Sequence, residues 1–136
     1  MSELKYFLKD NKVKGENVFY QATSSLPDEN GEAVKWEIKR ITTEEDEQLR
    51  EDCMKRGKGS VRLDYGLYMK KMAVKSVVYP PLYNAVLQDS YNVNTPEELL
   101  CKLIDNPGEY QEFIRFVQKV NGFDITMEKR VEEAKN

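Results

Sequence analysis

The side chains best able to do chemistry are scattered along this 136-residue chain. Histidine is absent, which removes the usual nucleophile pairs, the imidazole acid/base and the ordinary zinc site. The seven glycines are dispersed, so there is neither a phosphate-binding loop nor a dinucleotide fingerprint. Four consecutive carboxylates at 44–47 are best explained as the first turn of a helix, where anionic side chains interact favourably with the helix dipole. We therefore expect no enzyme, and no catalytic, metal-binding or cofactor-binding residues.

The cysteines, the net charge and the hydropathy set further limits. Cys53 and Cys101 stand alone in helical contexts and are expected to be reduced, half-buried thiols, with a disulfide between them as the less favoured alternative. The formal charge of -3 gives no general attraction to nucleic acid. No apolar run is long enough to span a bilayer, and the first eleven residues lack the core of a signal peptide. These features favour a cytoplasmic protein that binds neither nucleic acid nor membrane.

Alternating side chains predict a β-hairpin near the start of the chain. Apolar and charged residues alternate at 33–40, around Trp36, and 18–24 also has strand character. Between them the Pro, Asp, Asn and Gly of 27–31 supply the residues of a reversal. A two-stranded hairpin is marginal alone, so its Trp36 face is expected to pack on helices.

Capping residues predict two helices in the first half of the chain. Ser2 can cap a short first helix in which Leu4, Phe7 and Leu8 share a face. Thr42 with the glutamate three residues later forms a capping box, which predicts a helix to about residue 54. The glycine-containing stretch at 57–60 then ends this helix.

A longer helix is expected at the centre of the fold. Asp64 can cap it, and its apolar stripe comprises Tyr65, Tyr68, Met69, Met72 and Val77. We expect this stripe to be core rather than a binding groove. The helix should end near Tyr79, because the proline that follows removes a backbone donor and restricts the residue before it.

Shorter helices fill the rest of the sequence. Thr95-Pro96 and Asn106-Pro107 predict the starts of two helices, each with a glutamate three residues after the capping residue that reaches back to it. Gly122 can adopt the left-handed conformation that ends the second. A helix of one or two turns within 81–91 precedes them, and a last helix over about 126–135 follows.

The predicted fold class is α+β and mainly helical. One antiparallel β-hairpin, at about 17–40, packs on a bundle of about five to six short helices. The length is that of one domain, 1–136, and the sequence contains no internal repeat, linker or low-complexity tract.

Two segments are candidate binding surfaces. An aromatic and proline-rich elbow contains Tyr79, Pro80, Pro81 and Tyr83, and tyrosine is favoured at interfaces because it combines apolar area with a hydroxyl. The interpretation that the sequence favours, however, is that this elbow is packed between two helices as a tight turn. A basic loop, with cations at 55, 56, 58 and 62, could contact acidic segments or RNA, but it lacks aromatic residues for base stacking and a solvated loop is the simpler interpretation.

A series of short strings resembles one family, the XkdN-like tail assembly chaperones of long-tailed phages and prophages of Gram-positive bacteria. The strings occur in the family's order and cover most of the chain from about Lys35 onwards. They are Val34-Lys35-Trp36-Glu37-Ile38, Arg40-Ile41-Thr42, Leu87-Gln88-Asp89-Ser90-Tyr91, Glu97-Glu98-Leu99-Leu100, Pro107-Gly108-Glu109-Tyr110, Asn121-Gly122-Phe123-Asp124 and Val131-Glu132-Glu133-Ala134-Lys135-Asn136. The stretch around 56–63 is shorter than the family pattern, and 13–30 matches only in character.

The resemblance implies a protein that binds the tape measure protein, a long helix-rich chain that sets tail length, and keeps it soluble in the host cytoplasm. Such a chaperone is absent from the finished virion. The tail tube protein and a second copy of the chain are further partners that the resemblance allows. The alternative is a minor structural or tail-completion protein. The ending Ala134-Lys135-Asn136 is also compatible with a slippery codon heptamer, which in the wider group produces a longer, frameshifted form.

Overall fold

A computed structural model describes residues 3–123, and within them the fold is α+β. The expected helix over about 126–135, the Ala134-Lys135-Asn136 ending and the Ser2 cap lie outside the described residues. Five α-helices and five strands are present in the part that is described. The helices are α1 (Thr43–Asp52), α2 (Tyr65–Ser76), α3 (Ala85–Ser90), α4 (Pro96–Leu103) and α5 (Pro107–Val120). The strands are β1 (Val18–Tyr20), β2 (Trp36–Ile38), β3 (Met54–Gly57), β4 (Ser60–Leu63) and β5 (Val77–Tyr79).

The predicted hairpin is confirmed as the β1–β2 pair of an antiparallel sheet, with Tyr20 opposite Trp36. Both strands are shorter than predicted. One face of the sheet packs on α5: the Trp36 and Phe113 rings meet edge to face at 5.5 Å, and Tyr20 stacks on Phe116 at 4.0 Å between ring centroids. Trp36 and Phe113 are fully buried, which confirms that the Trp36 face packs on a helix.

A third strand extends this sheet and corrects the predicted end of the central helix. α2 ends at Ser76, and Val77–Tyr79 forms β5 instead, paired antiparallel with β2. The segment before Pro80 carries two β-branched residues and an aromatic, which favour an extended backbone, as does the proline that follows. The sheet order is therefore β1-β2-β5.

A second hairpin, β3–β4, was not predicted. It forms a separate two-stranded sheet, and the turn between its strands contains Gly59 at a φ of +71°. The 57–60 stretch was expected only to end the preceding helix. α1 already ends at Asp52, before β3, and the 57–60 stretch closes a hairpin whose side chains are almost all exposed.

The central position of α2 is confirmed. Its buried residues are Tyr68, Met69, Met72, Ala73, Val74 and Ser76, while Tyr65 at its start is exposed. The Tyr68 hydroxyl donates a hydrogen bond to Asp46 of α1, and Arg50 contacts both groups. On another side Lys71 lies 3.5 Å from Glu97 of α4.

The predicted N-capping residues of α1, α4 and α5 are confirmed. Thr42 and Glu45 form the capping box, and the side chains of Thr95 and Asn106 accept from the backbone N–H three residues on. Gly122 has a φ of +86°, and its N–H and the next one bond back to α5 in the pattern of a Schellman motif.

The start of the chain differs from the predicted amphipathic helix. It forms two 3-10 turns, Leu4–Phe7 and Lys9–Asn11, followed by a segment without regular secondary structure that leads to β1. We call residues 3–17 the N-terminal arm. Leu4, Phe7 and Leu8, which were expected to share a face, are all exposed to solvent.

Candidate partner-binding surface

The elbow presents its tyrosines to solvent. Tyr79 is 52% exposed at the end of β5 and Tyr83 is 70% exposed, while Pro81 is also exposed. Pro80, joined to Tyr79 by a cis peptide bond, is half-buried. Within the elbow only Leu82 is part of the core, at 2% exposure. The interpretation of the elbow as a turn packed between helices is therefore wrong for its two tyrosines.

Local hydrogen bonds fix the shape of the elbow. The side-chain amide of Gln88 donates to the carbonyl oxygen of Leu82 at 2.9 Å, and the Asn84 N–H donates to the Pro81 carbonyl at 3.0 Å. Asn84 also caps α3 by accepting from the Leu87 N–H at 2.9 Å. The exposed tyrosines thus stand on a segment held by a buried leucine and a capped helix.

The outer face of the sheet adds a second aromatic group that the sequence did not single out. Phe19 lies opposite Glu37, and Glu37 lies opposite Tyr79, so these three side chains form one row across the sheet. Trp36 and Ile38, the neighbours of Glu37, face the core. Phe19 is 65% exposed. No local signal marks Phe19, because its position on the outer side follows from the register that pairs it with Glu37.

We define the aromatic surface as Phe19, Tyr79, Pro81 and Tyr83. It offers apolar area and one hydroxyl on each tyrosine, which suits binding to a partly apolar chain. Two valines near the elbow in sequence are also exposed. Val78 is the extra residue where the β2–β5 register shifts, and Val86 lies on α3.

Several side chains outside the aromatic surface have shifted pKa values, and their contacts stabilise the fold. Burial raises the pKa of Tyr68, and the backbone N–H of Thr42 holds the pKa of Glu45 low within the capping box. The Thr23 hydroxyl lowers the pKa of Glu109. The 44–47 carboxylates thus serve α1, as the helix interpretation predicted.

The carboxylate of Glu109 does not make the contact that was predicted for it. It was expected to reach back to Asn106, yet its carboxylate accepts from the buried Thr23 hydroxyl at 2.7 Å and from the Ser24 N–H at 3.1 Å. The contact joins the start of α5 to the segment after β1. The partner is 86 residues away in sequence, so no local rule could find it.

The basic loop of the sequence analysis is the β3–β4 hairpin. Lys55 lies 3.1 Å from Asp64, and Arg56 lies 2.7 Å from Glu51. Two of its four cations therefore already contact carboxylates of the same chain. Lys58 and Arg62 are exposed.

Both cysteines are free thiols in the structure, and Cys53 is more deeply buried than the half-buried position expected for it. Cys53 is buried, and this burial raises the pKa of its thiol. Cys101 is half-buried on α4. Residues 3–123 contain no group of three side chains arranged to hold a metal ion.

Comparison with known families agrees with this architecture. The sequence profile of the Phage XkdN-like tail assembly chaperone proteins matches residues 4–135, nearly the whole chain. The chain belongs to this family. Among residues 3–123 of this member of the tail assembly chaperone family, no helix has the length and apolarity needed to cross a membrane.

Two Bacillus subtilis (strain 168) proteins are similar over almost their full length. The phage-like element PBSX protein XkdN is 26% identical over 98% of this chain and 94% of its own. The uncharacterized protein YqbN is 28% identical over 98% of this chain and 93% of its own. A crystal structure of YqbN has the same fold, with a TM-score of 0.78 over 88% of this chain and 96% of that one at 24% identity.

Proposed function

We propose that this chain binds the tape measure protein of a phage tail and keeps it soluble in the host cytoplasm while the tail is built. It does so without catalysing a reaction, and it leaves before the virion is complete. Family membership supports a role in tail assembly, and the observation that carries the rest is the exposure of the aromatic surface on the outer side of a sheet whose inner face is buried.

The chemistry of this surface fits a tape measure protein. A long helix-rich chain exposes apolar stripes until tube subunits cover it, and an aromatic surface can shield such stripes by packing against them. A single small surface gives weak affinity, but many copies bound along one long chain cover it collectively. The fixed elbow reduces the entropy lost on binding, because Leu82 and the α3 cap already hold its backbone.

Co-expression with the tape measure protein encoded nearby tests the proposal. We expect soluble tape measure protein only when this chain is present, and its recovery with a tagged form. The Tyr79→Ala, Tyr83→Ala double variant should remain folded and lose most of the solubilising effect.

Tyr65→Ala is the matched control. Tyr65 is 58% exposed, close to the value for Tyr79, but it begins α2 whereas Tyr79 follows the other end of that helix. A helix of twelve residues places these ends about 18 Å apart. Equal loss of solubilisation by both variants would remove the aromatic surface from the proposal.

Purified particles separate the proposal from a structural or tail-completion role. A chaperone that leaves is missing from them, whereas a structural protein is present at a fixed ratio to the tube subunit. Detection of this chain at such a ratio would contradict the proposal.

A further inference from the structure

A second surface lies between the N-terminal arm and the end of β2. It is an open groove of about 560 Å³, and five cations line it: Lys9, Lys12, Lys14, Lys39 and Arg40. No carboxylate is among its described lining residues. None of the five cations lies within 4.0 Å of a carboxylate in residues 3–123, in contrast to the two paired cations of the β3–β4 hairpin. We call it the basic groove.

Specific contacts hold the two walls of the basic groove together. Asn17 donates to Glu37 at 2.8 Å, which ties the end of the arm to β2. The Arg40 guanidinium lies so close to Gly15 that a Cβ added there would be 3.0–3.2 Å from it. The Ile41 N–H donates to the Asn121 side chain at 2.9 Å, which fixes the other wall to the end of α5. The cations are therefore gathered by the fold.

From this arrangement we infer that the basic groove binds an acidic segment of a polypeptide. The four lysines provide flexible donors and Arg40 provides a planar guanidinium, and both kinds of cation match carboxylates in an irregular chain. Val13, which is 90% exposed, and Ile41 line the same groove and can contact apolar side chains between the carboxylates. The inference is independent of the tape measure proposal, since any acidic protein segment of this kind satisfies it.

Nucleic acid fits the basic groove less well. No aromatic residue is among the described residues that line it, so stacking of bases has no platform there. The net charge of -3 also opposes the approach of a long polyanion, whereas a short acidic segment experiences mainly the local cations.

Fluorescence anisotropy with the purified full chain tests the inference. The probe is a labelled peptide of Glu with interspersed Leu, compared with a peptide that carries Gln in place of Glu and with a single-stranded oligonucleotide. We expect the Glu peptide to bind at low salt, to weaken as salt approaches physiological strength, and to bind more tightly than either comparison probe.

The Lys12→Glu, Lys39→Glu variant should weaken binding of the Glu peptide by about tenfold, because each reversal replaces an attraction with a repulsion. The matched control is Lys58→Glu, Arg62→Glu in the β3–β4 hairpin, which changes the net charge equally and should bind as the wild type does. The neutral pair Lys12→Gln, Lys14→Gln gives a second variant, with a smaller loss, if the first misfolds.

Three results would overturn the inference: no binding of the Glu peptide at low salt, equal weakening by the groove and hairpin variants, or tighter binding of the oligonucleotide. The last would reassign the basic groove to nucleic acid. Each can occur while tape measure solubilisation remains intact, so failure here is distinct from failure of the proposed function.

Discussion

The two faces of the β1-β2-β5 sheet carry similar side chains in opposite surroundings. On the inner face Trp36 and Tyr20 pack against the aromatic rings of α5. On the outer face Phe19 and Tyr79 lie in solvent on either side of Glu37. Aromatic residues on the inner face are explained by the core. Those on the outer face are mostly exposed and are expected to contribute little to folding, which supports the proposal that they contact a partner.

The largest expected effect is on the inner face. Trp36→Ala should lower the free energy of unfolding by about 3–5 kcal/mol, since it removes a fully buried aromatic side chain and leaves a cavity. Chemical denaturation measures this value. If the alanine variant fails to fold, Trp36→Phe should still fold with a smaller loss. An alanine variant as stable as the wild type would contradict the inner packing.

The end of α5 supports that inner face and gives a smaller effect. Gly122→Ala should cost roughly 1–2 kcal/mol of stability, because an L side chain at a φ of +86° is strained. Gly57→Ala is the matched control, since Gly57 does not have a positive φ and an added Cβ meets only the Ser60 hydroxyl at 3.5 Å. Thermal melts of both variants compare them, and equal shifts would contradict the assigned cap.

Features that depend on neighbouring residues could be predicted from the sequence. The starts of α4 and α5 and the role of Gly122 follow from residues that satisfy neighbouring backbone groups, so the information is local. β5 was missed because its hydrogen-bond partner, β2, lies about forty residues away. The basic groove could not be predicted for the same reason, because its cations come from 9–14 and from 39–40, which are far apart in sequence.

The elbow was predicted only in part. Its residue types identified Tyr79 and Tyr83 as candidate contacts, but the sequence could not show whether they are exposed. Exposure depends on where β5 joins the sheet, and that is a long-range property. Phe19 required the same knowledge of register.

The Glu109 contact ties α5 to the chain after β1, and its contribution should depend on pH. Because the folded state lowers the pKa of Glu109, its stabilisation is complete above the unfolded value near 4.5 and is lost as pH falls through the folded value. Glu109→Gln should therefore reduce stability at neutral pH, with a difference from the wild type that shrinks below about pH 4.5. Denaturation at several pH values measures it.

A double-mutant cycle provides the control for that experiment. In a Thr23→Val background the main hydrogen-bond donor to Glu109 is missing, so Glu109→Gln should have a smaller effect than in the wild type. Additive effects of the two substitutions would show that the carboxylate and the hydroxyl do not interact in solution.

The smallest effect on stability is expected on the outer face, and it separates folding from binding. Phe19→Ala should change the free energy of unfolding by no more than about 0.5 kcal/mol, because the side chain is mostly exposed. The same variant should reduce recovery of soluble tape measure protein, since Phe19 lies in one row with Tyr79. A large loss of stability would mean that Phe19 packs in solution. An unchanged recovery would confine the aromatic surface to the elbow and leave the outer sheet row without a binding role.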